Sequence, residues 1–347
     1  MTRKYGEDMI YKNFELYNVF ELVPKKEQDG FLMSRIPKCV RSCLNQTAST
    51  MAFNGCGVEI RFNIINGPAK VVISRDNIGA INPMGIVEIY YGSFQASNIN
   101  NPVFVGYEQT EFFINTPPNI EKLLYLYKKE GKGYDPRLIR ILLPHDAPTI
   151  LHRVEGDIVP PQSSQKPCKK IVFYGSSITH GGNAISTRHT YASQLADMLN
   201  FELINLAFAG SAYMDIEMAE FISTEINWDI AVLEMGINVL DKWTANEYKD
   251  HIECFICEIA ERNQEKKIFC TDIYTFGADF FEDSKANQFR DILYKVIKRR
   301  RYDNVIYIPG YKMLKSVYEL SSDLVHPSQE GMNTIAKNLF NIINSYL

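Results

Sequence analysis

The chain has 347 residues, 46% hydrophobic and 22% charged, with a formal net charge of -4 at neutral pH. That length allows more than one core, and that composition is ordinary for a globular fold. The small negative charge supplies no global basic field for nucleic acid or an anionic membrane, and no apolar run is long enough to span a bilayer, so neither partner is expected.

The first residues, Met1 to Asp8, carry charge with no apolar run behind them, which is not a secretory signal. The seven cysteines are odd in number and scattered. Reduced thiols and a cytoplasmic location are therefore expected.

Up to about residue 155 the chain reads as short strands with turn residues between them. Gly57–Gly67 alternates apolar and polar residues, as a half-buried strand does. Asn66-Gly-Pro68 reads as a turn into a second strand, Lys70–Ser74. Gly85–Tyr91, Thr110–Ile114, Leu138–Leu143 and Asp146–His152 are further strand candidates, and helical signals are weak. Strands at this spacing imply an antiparallel β-sandwich of jelly-roll type. The segment Val159-Pro-Pro-Gln-Ser-Ser-Gln-Lys-Pro167 carries three prolines and continues neither strand nor helix. The expected organisation is a sandwich domain over 1–158, a linker over 159–168 and a second domain over 169–347.

From residue 169 strands and helices alternate. Strands are expected at Lys170–Tyr174, Glu202–Ala207, Ile230–Glu234, Lys267–Ile273 and Asn304–Ile308. Helices are expected at Tyr191–Leu199, Asp215–Thr224, Thr244–Asn263, Asp283–Arg300 and Gln329–Tyr346. This β-α alternation implies a five-stranded parallel sheet with helices on both faces. Lys298-Arg-Arg-Arg301 fits the last turn of a helix, where cations suit the dipole. Cys254 and Cys257 have metal spacing but lie mid-helix without further ligands. They read as two thiols on one buried face, and no metal site is expected.

The strand ends carry the chemistry. Gly175-Ser176-Ser177 follows the first strand, Phe208-Ala-Gly210-Ser211 the second, and Met235-Gly236-Ile-Asn238 the third. Asp323-Leu-Val-His326-Pro327 precedes the last helix. The ends of parallel strands meet at one sheet edge, where ligands bind. A serine hydroxyl becomes a nucleophile when a base takes its proton. His326 is the candidate base, and among the six histidines only His326 has an aspartate three residues before it. Asp323 can orient its imidazole. The Ser177 and Gly210 amides and the Asn238 side-chain amide are candidate donors to an oxyanion. Ser176 is the rival nucleophile, and His180 and His189 lie nearby without an assigned role. A phosphate loop would need Gly-Lys-Ser/Thr, whereas Gly182 is followed by Asn183-Ala-Ile185.

These four blocks, in this order, resemble the SGNH hydrolases of the GDSL esterase superfamily. The resemblance covers roughly residues 169–347. It implies a three-layer α/β/α, flavodoxin-like domain, with Ser177, Asp323 and His326 as catalytic triad and Ser177, Gly210 and Asn238 as oxyanion hole. The first block has Ser176 where the family commonly has Asp, and Val239 follows Asn238 where the family often has Asp. The upstream half is similar to a subgroup in which a β-sandwich precedes a Tyr-Gly-Ser-Ser-Ile-Thr block. The resemblance implies a serine esterase that removes short acyl groups, acetyl first, from small-molecule or oligosaccharide esters, with no cofactor. Pocket walls are expected from loops, tyrosines of the first domain among them. Two other readings stay open: a carbohydrate-binding protein with a non-catalytic hydrolase-like domain, and a lipase or thioesterase of the same superfamily. The oligomeric state is not legible.

Overall fold

A computed structural model of the chain describes residues 8–78, 84–99, 101–281 and 285–347. The N-terminal part is an antiparallel sheet built from β1 (Met9–Tyr11), β2 (Phe14–Tyr17), β3 (Glu21–Lys25), β4 (Gly30–Ser34), β5 (Glu59–Arg75), β6 (Gly85–Tyr91), β7 (Phe94–Gln95), β8 (Val103–Val105), β9 (Thr110–Ile114), β10 (Leu138–Leu142) and β11 (Thr149–Val159). Short helices α1 (Lys38–Arg41) and α2 (Gln46–Met51) leave its early strands, and α3 (Ile120–Glu130) follows β9.

The spine is β5, which runs unbroken for 17 residues. The expected turn at Asn66-Gly-Pro68 is therefore not a chain reversal. Residues 59–61 lie between β2 and β10, whereas residues 69–73 lie between β9 and β11. The strand changes neighbours across its exposed stretch, Ile65 to Pro68, where the β11 register shifts on either side of Asp157. Gly67, at φ +64°, supplies the left-handed residue such a bulge needs. Turn chemistry here bends a strand between layers, because β11 remains long enough to pair with both halves.

The helix α3 was not expected, and its 11 residues include none that is fully buried. The last predicted strand begins at Thr149 instead of Asp146 and continues to Val159. The four strands before residue 35 had no predicted counterpart.

The C-terminal part follows the expected alternation. Its elements are β12 (Lys170–Tyr174), α4 (Ser177–His180), α5 (Tyr191–Leu199), β13 (Glu202–Asn205), α6 (Ile216–Thr224), β14 (Ile230–Glu234), α7 (Ala245–Arg262), β15 (Lys267–Thr271), α8 (Lys285–Arg300), β16 (Val305–Ile308) and α9 (Gln329–Ile343). The predicted start of α8, residues 283–284, lies outside the described residues. All pairings are parallel in the order β13-β12-β14-β15-β16, the doubly wound arrangement of flavodoxin-like folds. One core, with Tyr191, Leu195, Ile335 and Leu339, buries α5 and α9 on one face of the sheet. Another, with Met218, Phe221, Ile252 and Phe289, buries α6, α7 and α8 on the other. The cysteines of α7 correct the buried-face reading: Cys254 is exposed, and Cys257 is half-buried beside the Tyr302 hydroxyl at 3.2 Å.

We propose the segment 159–168 as a boundary between architectures, with continuous packing across it. Tyr17, Phe20, Ile36, Leu44, Ala48 and Ala52 belong to the same core as α6 and α7. The buried Arg35 guanidinium donates to the carbonyls of Asn205, which ends β13, and Ala207, just past it. Arg61, fully buried on β5, pairs with Glu59 at 2.7 Å and with Glu202 of β13 at 2.5 Å. Removing one partner from such a buried set leaves an uncompensated charge, which costs several times more than breaking a surface pair.

Candidate active site

The chain leaves β12 through Gly175 and enters α4 at once. A Cβ on Gly175 would stand 2.4 Å from Thr179 Oγ1 and 2.7 Å from Glu234 Oε2, so only glycine fits this turn. Ser176 is the N-cap: its hydroxyl accepts from the Ile178 N–H at 3.2 Å, and its own N–H donates to Glu234 Oε2 at 2.7 Å. Ser176 is therefore turned inward and is only 2% exposed. Ser177, one residue on, faces the cleft.

His326 meets Ser177 there. Its Nε2 lies 2.7 Å from Ser177 Oγ, and its Nδ1 lies 2.8 Å from Asp323 Oδ2. Asp323 is held entirely by donors. Its Oδ1 accepts from the N–H groups of Val325 and His326, both at 2.9 Å, and from Ser321 Oγ at 2.8 Å. Its Oδ2 also accepts from Asn183 Nδ2 at 3.0 Å. Burial works against the charged carboxylate, but these hydrogen bonds outweigh it and hold the group well below the usual carboxylate range. An ionised Asp323 fixes the Nδ1–H tautomer of His326 and leaves Nε2 as the acceptor facing Ser177.

Gly210 and Asn238 arrive from the next two strand ends. Gly210, at φ +68°, lines the cleft, and a Cβ built on it would meet open space. Asn238 lies in the turn after β14, where its Oδ1 accepts from the Ala212 N–H at 3.1 Å. That bond ties the two loops together; among the described residues that line the cleft, Gly210 is present and Asn238 is not. Among the described residues, no backbone acceptor takes the N–H of Ser177 or Gly210. The geometry thus brings Ser177, Asp323 and His326 into contact and sets Gly210 in the same cleft.

Several contributing residues escaped the sequence reading. Glu234 ends β14 buried beneath the turn and accepts from both Ser176 N–H and the Thr179 hydroxyl, at 2.7 and 3.1 Å. Burial pushes its carboxyl up. A carboxylate closing the apolar run before Gly236 was the available signal. Asn183 had no such signal, because its partner lies 140 residues away.

The cleft has a volume of about 580 Å³ and is lined from both halves of the chain, by Met51, Met84, Ile86 and Pro144 as well as by Ser177 and His326. No tyrosine lines it among the described residues, which corrects that expectation. His189 bonds Ser186 Oγ through Nδ1 at 2.7 Å. His180 is buried at the cleft floor, and its Nε2 donates to the His145 carbonyl at 2.7 Å. Burial, aided by the charge of Arg35, pushes His180 down to about 3.

An imidazole in the unfolded chain titrates near ~6.5. The folded value is lower, so stability held in the neutral ring is complete above ~6.5 and is lost as pH falls toward about 3. Between about pH 6.5 and 5 the melting temperature of the wild type, relative to that of His180→Asn, is expected to decline, because the buried carboxyls Asp215 and Asp272, raised to about 6, titrate equally in both proteins and cancel from the difference. Equal slopes would contradict this assignment.

Comparison with known proteins identifies the family. Residues 168–344 match the model of the GDSL-like lipase/acylhydrolase family. The match covers half the chain, and the protein belongs to that family; it is an ester-cleaving hydrolase. No curated protein matches the sequence. Among solved structures, the chain is similar to the salicylyl-acyltransferase SsfX3 from a tetracycline biosynthetic pathway, at 17% identity and a TM-score of 0.78, over 98% of this chain and 96% of that one. It is also similar to a family two carbohydrate esterase of Clostridium thermocellum in complex with cellohexaose, at 14% identity and a TM-score of 0.60, over 84% and 93%. A third is the acetyl xylan esterase Est2A of Butyrivibrio proteoclasticus, at 13% identity and a TM-score of 0.54, over 97% of each chain. At these identities the likeness is one of fold. No helix among the described residues is long and apolar enough to cross a membrane.

Proposed function

We propose that the protein is a serine esterase that cleaves short O-acyl esters through an acyl-enzyme on Ser177. The observation that carries this reading is the unbroken relay of contacts Ser177 Oγ–His326 Nε2 and His326 Nδ1–Asp323 Oδ2, at 2.7 and 2.8 Å. Ser177 Oγ bonds to the ester carbonyl carbon as its proton passes to His326 Nε2. The carbonyl oxygen becomes an oxyanion, held by the N–H groups of Ser177 and Gly210 and by Asn238 Nδ2. One such donor is typically worth ~3 kcal/mol of barrier. The bond to the alcohol oxygen then breaks, and His326 returns its proton to that oxygen. Water, deprotonated by the same imidazole, attacks the acyl-serine, and the acid leaves as the Ser177 hydroxyl re-forms. Asp323 orients His326 and stabilises the imidazolium without taking the proton. No step in this chemistry calls for a cofactor.

Acetyl is the first acyl group to try, and the alcohol is a small molecule or a carbohydrate; the names of the neighbouring esterases support that choice. Purified protein is expected to release p-nitrophenol from p-nitrophenyl acetate, with turnover lost in Ser177→Ala. Ester binding without turnover would contradict the reading and favour a non-catalytic, ligand-binding protein.

A further inference from the structure

The side of the cleft that must receive the alcohol half of the ester can be placed. His326 has to protonate the leaving oxygen, so the alcohol extends past the imidazole. The segment Gly182–Ser186 runs along that side: a Cβ on Gly182 would stand 2.9 Å from His326 Cδ2, and Asn183 reaches Asp323 at 3.0 Å. Ile185, in the same segment, lines the cleft and is 58% exposed. The N-terminal sheet closes on this segment. Thr187 Oγ1 donates to the Leu143 carbonyl at 2.5 Å, and the Arg188 N–H donates to Glu88 of β6 at 3.0 Å. Those bonds bring Pro144 and the entry of β6, Met84 and Ile86, to the same side of the cleft. Met84 is 48% exposed.

Asn183 and Ser186, the polar side chains of this segment, already have partners. Asn183 is bonded to Asp323 and Ser321, and Ser186 to His189. The cleft's two acidic residues are also committed: Asp146 to both terminal nitrogens of Arg75, at 3.1 Å each, and Asp323 to His326. Among the described lining residues there is no Lys or Arg and no Phe, Tyr or Trp. Among the described lining residues, a sugar ring on this side would find no aromatic platform and an acidic alcohol no cation; an unpaired acceptor of the cleft, the buried Asn54 Oδ1, lies beside His180. An apolar body would cover exposed Ile185 and Met84 and remove them from water.

We propose that the wall formed by Met84, Ile86, Pro144 and Ile185 selects uncharged esters whose alcohol half is an apolar body of several carbons. This inference rests on the reading of Ser177 as the nucleophile, which sets where the leaving oxygen lies. It makes the N-terminal sheet a determinant of specificity, in addition to its packing role.

The test measures acetate release from ethyl acetate, hexyl acetate and mono-O-acetylated methyl xyloside, whose other hydroxyls are free, by the full-length protein. Four further methylenes against an apolar wall give hexyl acetate a kcat/KM about tenfold or more above that of ethyl acetate. It should also exceed that of the acetylated xyloside. Ile185→Asp should lower the hexyl-to-ethyl ratio by ~fivefold or more, and because both esters see the same preparation, loss of folded protein cancels from that ratio. A ratio near one in the wild type, a ratio unchanged by Ile185→Asp, or the xyloside as the best substrate would each overturn the proposal. If the wild type hydrolyses none of the esters, the esterase reading fails instead. The wall is then judged by ligand-observed NMR of hexyl acetate binding. Binding to Ser177→Ala that weakens in Ser177→Ala/Ile185→Asp supports it, and equal or undetectable binding in both contradicts it.

Discussion

Replacing Ser177 with alanine is expected to lower kcat on p-nitrophenyl acetate by roughly 10⁴- to 10⁶-fold, the range seen when the nucleophile of a serine hydrolase is removed. The loss is large because the remaining groups are arranged around that oxygen. His326 Nε2 has its 2.7 Å contact with Ser177 Oγ, and without it the base has no proton to take. Stability should change little. The hydroxyl faces the cleft, while the turn itself is held by Ser176 and Glu234. Circular dichroism and the melting temperature therefore serve as controls. A variant that keeps a rate within tenfold of wild type would remove Ser177 from the mechanism. Ser176 would not inherit the role, because it is buried as the cap of α4.

Asp323→Asn is the second large effect, expected at roughly 10³- to 10⁴-fold in kcat with little change in fold. The isosteric amide fits the space but reverses one end of the hydrogen bonding. All partners of Asp323 are donors: two backbone N–H groups and Ser321 Oγ on Oδ1, and Asn183 Nδ2 with His326 Nδ1 on Oδ2. The backbone donors cannot turn, so the amide oxygen takes the Oδ1 position and the NH₂ faces the imidazole. Nδ1 must then accept, the ring proton moves to Nε2, and His326 presents a donor to Ser177 where an acceptor is needed. A loss below tenfold would show that tautomer control does not pass through Asp323.

The cluster proposed as catalytic is legible in the sequence because each of its members closes or follows a strand in a regular β-α series. Once the apolar runs of 170–174, 202–205 and 230–234 are placed side by side, parallel geometry carries Ser177, Gly210 and Asn238 to one edge. The acidic turn before α9 supplies its own local signal, Asp323 three residues before His326. What could not be read depends on distant pairing. Asn183 acquires its meaning from Asp323, and Glu234 from the N–H of Ser176, and neither relation has a periodicity. The bend in β5 was read as a reversal because Asn-Gly-Pro serves hairpins and bulges alike, and only the length of β11 decides between them. The helix α3 sits on the outside with no fully buried residue, so no inward stripe marked it. The walls of the cleft were hidden for a similar reason: Met84 and Pro144 belong to strand connections far from residue 177 in sequence.

The central claim is that Ser177 is the nucleophile. Its most direct test is stoichiometric reaction with a p-nitrophenyl alkylphosphonate, followed by peptide mass spectrometry. A serine attacks the phosphorus, releases p-nitrophenol and retains the phosphonyl group as a stable mimic of the tetrahedral intermediate. The expected result is one adduct per chain, mapped to Ser177, with labelling absent in Ser177→Ala. An adduct on Ser176 or elsewhere, or undiminished labelling of Ser177→Ala, would contradict the account.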